Sequence, residues 1–193
     1  MKKGEESRQR LIECAAELFW KNGYSATGIS EILKQTDLPK GSFCFYFKSK
    51  DDLATAVTEY YQKILLEQFQ NSSQGNDWES FIEEIFDFLS ERTNGQTFAG
   101  CPYAVMGMET ALSKPAVASV FMEGLEKLMT DFSRKYCYAP DCLQIMQNSF
   151  AAHAFYLSGI FSSWTNQRRY FLFEKCKKNM IEMYREYRAF HGI

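Results

Sequence analysis

Three features of the chain predict an all-α fold. Apolar residues recur three and four apart in nearly every segment. The breaks between segments are short clusters of Gly, Pro, Asn and Ser. The hydrophobic fraction of 46% is enough to give each helix a buried face, which argues against disorder. At 193 residues the length suits one compact unit or two small domains sharing a core. Seventeen Phe, eleven Tyr and three Trp are more than a plain bundle needs; an aromatic-lined cavity and a Phe-rich core both account for them.

Ser7 to Asn22 reads as the first helix, with Leu11, Ile12, Ala15, Leu18 and Phe19 on one stripe and Gly23 as its stop. Cys14 adjoins the stripe and reads as packing. Ahead of it, Lys2 and Lys3 form a basic tip of the kind that lies along a minor groove or stays disordered. Residues 28 to 35 read as a second, short helix: Ile29, Ile32 and Leu33 recur at helical spacing, and Thr27 stands at the N-cap. Asp37-Leu38-Pro39 ends it, since Pro39 disfavours helical geometry at Leu38 and suits the first turn of a new helix. That third helix runs from Lys40 to Phe47. Two short helices joined by a tight turn form the helix-turn-helix unit, whose second helix enters the DNA major groove. Gly41 and Ser42 let the backbone approach bases or phosphates, Lys40 brings charge to the same end, and Tyr46 offers a phenolic donor. Phe43 and Phe47, four apart, share a packing face. A helical hairpin with a solvated lysine face has the same spacing, so spacing alone leaves both readings open.

Lys50 begins a long helix to about Gln70, with Leu53, Val57, Tyr60, Ile64 and Leu65 inward. The cluster from Asn71 to Asn76 is the clearest turn in the chain. Asp77 caps a helix whose Trp78, Phe81, Ile82, Ile85, Phe86 and Leu89 form one face. A short helix from Tyr103 to Leu112 follows, then one opened by Lys114-Pro115 with Val117, Val120, Phe121, Leu125, Leu128 and Phe132 inward. In the last two predicted helices, 141–164 and 170–190, apolar residues step by three and four in stripes suited to antiparallel pairing. The first stripe includes Phe150, His153, Leu157, Ile160 and Trp164; the second includes Cys176, Met180, Met183 and Tyr187. Doubled by a two-fold axis, these helices would form a four-helix interface, so Phe150, Leu157, Ile160, Met180, Met183 and Tyr187 are the candidate dimer contacts.

The stretches GYSATGISEIL (residues 23–33) and LPKGSFCFYFKSKDDL (residues 38–53) resemble the DNA-binding domain of TetR-family transcriptional regulators. The match covers roughly the first 55 residues, ungapped and in fixed order. The resemblance implies a three-helix DNA-binding domain (residues 1–49) and a roughly six-helix ligand-binding and dimerisation domain (residues 50–193). It implies phosphate contacts from Thr27, Lys40, Ser42, Tyr46 and Lys48 or Lys50, with Pro39, Lys40, Gly41, Cys44 and Phe45 facing the groove. It further implies a homodimer on a palindromic operator, released by a small-molecule inducer. Three positions depart from the family pattern. Asp37 stands where Gly is usual in the turn, and Cys44-Phe45 replaces the usual Tyr-His, putting a thiol and an apolar ring where a thymine methyl is within reach.

The segment from Phe98 to Glu109 is similar to the Gly-Cys segment in a subset of TetR-type repressors, some of them responsive to electrophiles through that cysteine. Cys101 lies just before a helix start, where the helix dipole favours thiolate. A cysteine serving only as packing at a helix cap fits the same position. Tyr103, Met106, Phe121, His153, Tyr156 and Trp164 are candidate cavity residues, although aromatics at helical spacing are usually core. A lone histidine such as His153 on an apolar stripe is more often a satisfied core or interface residue than a ligand contact.

Net charge is −2, so overall charge does not mark a nucleic-acid binder. Residues 1–53 carry nine basic against eight acidic side chains and the remainder thirteen against sixteen, so binding must depend on where charges sit. No signal-peptide pattern or apolar run of membrane-spanning length is visible, and the six cysteines (Cys14, Cys44, Cys101, Cys137, Cys142, Cys176) lack zinc-site spacing. A cytoplasmic protein with reduced thiols and no metal or cofactor is expected. Nucleotide-loop, nucleophile-elbow and HExxH motifs are missing, which argues against an enzyme. Three functions are therefore carried forward: a ligand-released repressor, a thiol-switch repressor acting through Cys101, and a DNA-independent helical adaptor.

Overall fold

The computed structural model describes residues 3–72, 77–94, 101–136, 141, 143, 144, 147 and 166–193. Cys137, Cys142, Phe150, His153, Tyr156, Leu157, Ile160 and Trp164 lie outside them. The described residues are all helix, turn or coil, as the periodicity predicts. The helices are α1 (Lys3–Asn22), α2 (Ile29–Thr36), α3 (Lys40–Tyr46), α4 (Lys50–Ser72), α5 (Trp78–Asn94), α6 (Pro102–Thr110), α7 (Pro115–Tyr136) and α8 (Asn166–His191).

The chain forms two compact units, one of residues 1–64 and 102–124, the other of residues 65–101 and 125–193. This division differs from a cut at residue 49: α6 and the first half of α7 belong with the N-terminal helices.

In the first unit the predicted α1 stripe is buried, with Leu11, Ala15 and Phe19 fully enclosed. α1 ends where Gly23 takes φ +90°, a conformation open chiefly to glycine, and its amide reaches back to the Phe19 carbonyl. Tyr61 of α4 donates its hydroxyl to the Ala16 carbonyl of α1. Tyr103 of α6 donates to the Thr58 carbonyl of α4 at 3.0 Å and stands edge-on to Tyr61 at 5.9 Å. α7 closes over this pair at Gly124, where an added Cβ would lie 2.5 Å from the Tyr103 ring and 2.6 Å from the Thr58 methyl. The start of α4 is fixed by a reciprocal cap: Ser49 Oγ accepts from the Asp52 amide at 3.1 Å, and the Asp52 carboxylate accepts from the Lys48 amide at 2.9 Å.

In the second unit Asp77 caps α5 as expected, its carboxylate accepting the Ser80 amide at 2.9 Å. α5 packs on α8 through Trp78, whose ring lies 5.5 Å from that of Tyr184. Arg185 grips Glu79 with Nε and one Nη, each donating to a different carboxylate oxygen, and Lys177 reaches Asp87 at 3.4 Å. Cys176, Met180, Ile181, Tyr184 and Tyr187 are all buried.

Candidate nucleic-acid interface

The two short helices form as the sequence predicts, one residue apart from the expected bounds. α2 is capped by Gly28 and not by Thr27. It ends at Asp37, which adopts the left-handed conformation (φ 51°) that explains why glycine is usual there. Pro39 is extended and forms the N-cap of α3 instead of its first turn. Phe47 is extended too, which ends α3 at Tyr46. Arg10 of α1 donates to the Thr36 carbonyl and ties α1 to the turn.

α3 has two faces. Phe43 and Phe47 are buried with ring centroids 5.8 Å apart, and the Arg8 guanidinium covers the Phe47 ring. On the opposite side Lys40, Gly41, Cys44, Phe45 and Lys48 are exposed. Residues 41, 44 and 45 are three and four apart and so form one stripe, with Lys48 exposed just beyond the extended Phe47 that ends the helix. Phe45 is 81% exposed, and its ring meets Tyr46 edge-on at 4.9 Å. Ser42 and Tyr46 are half-buried at the flanks.

Two of the expected phosphate contacts point elsewhere. Thr27 is fully buried; its hydroxyl donates to the Gly23 carbonyl at 2.8 Å and the Leu18 carbonyl at 3.2 Å, so it fastens the α1–α2 turn from inside. Lys50 donates to the Thr27 carbonyl at 2.8 Å and sits 4.1 Å over the Tyr24 ring, a brace within the protein. Burial is the main reason its ammonium titrates below the usual lysine value, since the protein withdraws water from the charge. Neither role is visible in sequence, because N-cap chemistry and positive charge say nothing about which way a side chain turns.

The largest polar feature of this unit carries no sequence signal. Glu109, in the last turn of α6, accepts the Tyr24 and Ser25 amides at 2.7 Å each. Two backbone donors just past α1 are thus held by one carboxylate 84 and 85 residues away. A Cβ on Gly23 would meet that carboxylate at 2.7 Å, so the glycine serves both the turn and the clamp. Beside it Tyr24 donates its hydroxyl to Asp51, and Lys114 reaches both Asp51 oxygens at 2.9 Å. The Tyr24 hydroxyl, followed by Lys114, holds the Asp51 carboxyl below its usual value, while burial and then Asp51 push the Tyr24 phenol upward.

The cysteines divide by setting. Cys44 is exposed on α3 and Cys101 is half-exposed immediately before α6. Burial is the leading cause that raises the Cys14 thiol, and it pushes Cys176 to about 11.

The other predicted residues separate as follows. Tyr103, Met106 and Phe121 are fully buried in the core of the first unit, where Tyr103 spends its hydroxyl on Thr58. Met180 and Tyr187, expected at a dimer interface, are covered by their own chain at 2% and 7% exposure; Met183 is half-buried. A stripe marks the apolar side of a helix but not whose surface covers it, and here α8 packs on α5. The second unit carries an open groove of about 490 Å³ lined by Phe171, Ile181, Glu83, Arg185 and neighbouring charged residues of α8. It contains none of the expected ligand residues. Among the described residues no cluster of His, Cys, Asp and Glu is placed to hold a metal, and no helix is long and apolar enough to cross a membrane.

Comparison with known proteins agrees with this geometry. Residues 11–57, spanning α1 to the start of α4, match the family described as "Bacterial regulatory proteins, tetR family". The chain is 30% identical over 151 residues to the HTH-type transcriptional regulator YxaF of Bacillus subtilis, covering 76% of this chain and 73% of YxaF. It is 26% identical over 151 residues to the HTH-type transcriptional repressor NemR of Escherichia coli, covering 70% of this chain and 75% of NemR. Its fold is similar to the crystal structure of a TetR-family regulator from Agrobacterium tumefaciens, with a TM-score of 0.72 at 13% identity over 94% of this chain and 98% of the other. It is also similar to E. coli NemR in its reduced form, with a TM-score of 0.65 at 19% identity over 91% and 95%.

Proposed function

The chain belongs to the TetR family of bacterial regulatory proteins, and from that premise we propose that it represses transcription as a homodimer, released from its operator by a small apolar or electrophilic molecule. The observation that carries this reading is the outward stripe of α3, an exposed face with Lys40 at one end and Lys48 at the other. Lysines so placed neutralise phosphates on either side of a groove while the residues between reach the bases. We assign DNA binding to residues 1–49, with Pro39, Lys40, Gly41, Ser42, Cys44, Phe45, Tyr46 and Lys48 as its contacts. Ligand binding and dimerisation are assigned to residues 50–193. Pairing of two subunits is assigned to the predicted helix at 141–164, through Phe150, Leu157 and Ile160, with Met183 beside them. Two subunits would place their α3 helices about one DNA turn (~34 Å) apart on a palindrome.

Release requires a ligand that favours a conformation with mismatched recognition helices. The Glu109 clamp is the element such a ligand would act through. It ties the end of α6 to the turn that precedes α2, so a shift of α6 either moves that turn or breaks two charge-assisted hydrogen bonds. Cys101 immediately precedes α6 and is half-exposed, which favours a second reading in which an electrophile acts by modifying this thiol. Cavity residues are proposed among Tyr103, Met106, Phe121, His153, Tyr156 and Trp164.

Anisotropy titrations on a labelled duplex from the promoter beside the gene test the assignment. Specific binding that survives Cys101→Ser and still responds to inducer supports reversible ligand release. Loss of the electrophile response in Cys101→Ser alone supports the thiol switch. No binding to any duplex would leave a DNA-independent helical adaptor. Glu109→Ala is expected to retain helix content while changing the inducer concentration needed for release.

A further inference from the structure

We propose that Phe45 reads thymine: its ring packs on the 5-methyl group of one thymine in each operator half-site and sets the base preference there. This rests on the DNA-binding reading above. Phe45 is the most exposed aromatic residue of the DNA-binding segment and lies mid-way along the outward stripe of α3. Its ring meets Tyr46 edge-on at 4.9 Å while the rest of it faces solvent. Around it the stripe offers Gly41 and Cys44, with Lys40 at the N-terminal end and Lys48 just past the C-terminal end. None of these is Arg, Asn or Gln, and lysine, which reads guanine, stands only at the two ends, where Lys40 and Lys48 equally suit phosphates.

The base discrimination available to the middle of this surface, at Cys44 and Phe45, is therefore apolar. Among the edges displayed in the major groove, the apolar group is the thymine methyl. Gly41, one turn before Phe45, has open space at its Cβ position and no side chain to hold the helix away from the bases. A ring placed between two phosphate-seeking ends and brought close by a glycine fits a methyl group in the groove. Cys44 flanks the contact as a second, smaller apolar surface.

The test uses the full-length protein. Binding duplexes are selected from a randomised pool, and each half-site thymine of the consensus is then replaced singly by deoxyuridine, which removes the methyl and keeps the pairing. Wild type is expected to lose about fourfold in affinity at one thymine per half-site and about fifteenfold when both are changed. Phe45→Ala should bind the thymine and uracil duplexes equally, Phe45→Leu should keep part of the preference, and Cys44→Ser should keep most of it. Thermal melting should be the same for all three, because both side chains are exposed. If wild type binds every uracil duplex as tightly as its thymine parent, the proposal is overturned. It also fails if Phe45→Ala retains the full preference. Failure to select any duplex would instead sink the DNA-binding reading itself.

Discussion

Helices α3 and α8 carry the same kind of signal and use it in opposite ways. Each has apolar residues that the sequence offers to a partner: Cys44 and Phe45 to DNA, Met180 and Tyr187 to a second subunit. In the folded chain Phe45 stands in solvent at 81% exposure, while Met180 and Tyr187 are covered by their own chain. The difference follows from what else each helix must bury. α3 has seven residues and satisfies its core side with Phe43 and the following Phe47, leaving Phe45 on the far face. α8 has 26 residues and one continuous stripe, and α5 brings an equally apolar face to meet it. A free apolar residue is informative when its own helix already has an anchored core face; an apolar stripe without one is usually consumed at home.

The largest expected effect breaks this contrast directly. Met180→Ala should destabilise the protein by about 2–5 kcal/mol in urea unfolding, because it empties a fully enclosed site. Phe45→Ala should change stability by no more than about 0.5 kcal/mol. A loss at Phe45 as large as that at Met180 would mean that Phe45 is packed, and a loss at Met180 as small as that at Phe45 would mean that α8 is not.

Next in size, Gly124→Ala should cost about 1–3 kcal/mol, since the new methyl would press on a Tyr103 ring that is held by its hydrogen bond to Thr58. Calorimetric melting checks it, and a neutral result would mean that α7 stands off from α4 and α6. A smaller change sharpens the view of the turn before α3. Asp37→Gly should raise stability by about 0.5–1 kcal/mol by relieving the left-handed conformation. A decrease on chemical denaturation would show that Asp37 contributes something beyond its backbone.

The smallest effect concerns the polar cluster behind α3. The Asp51 carboxyl is held below its usual value by Tyr24 first and Lys114 second. Its contribution is therefore full above the ordinary carboxylate range and lost as pH falls through the lowered value. Wild type should melt above Asp51→Asn at neutral pH, with the gap closing below about pH 4. The pair is half-exposed, so the gap should stay under about 1 kcal/mol. A gap that widens on acidification would reverse the sign of this linkage.

Much of the candidate interface was legible beforehand. Helix boundaries at Gly23 and Pro39 and the buried pair Phe43 and Phe47 follow from local rules of capping and spacing, while the outward placement of Cys44 and Phe45 was expected from the family resemblance. Thr27 and Lys50 were misread because an N-cap residue and a lysine each have two good fates, and nearby residues do not choose between them. The Glu109 clamp was illegible, since its partners are backbone amides that any sequence supplies.

Periodicity, breakers and the ordered motif from Gly23 to Leu53 were enough by themselves to determine an all-helical chain with a helix-turn-helix near its start. Those features act over one or two turns, within reach of local sterics and hydrogen bonding. Tertiary structure alone decided which face each stripe spends on its own chain, and that α6 and the start of α7 join the N-terminal unit. It alone brought a carboxylate from the end of α6 onto the turn before α2. Such choices compare surfaces distant in sequence, and the free energy of covering one with another exists only once the chain has brought them together.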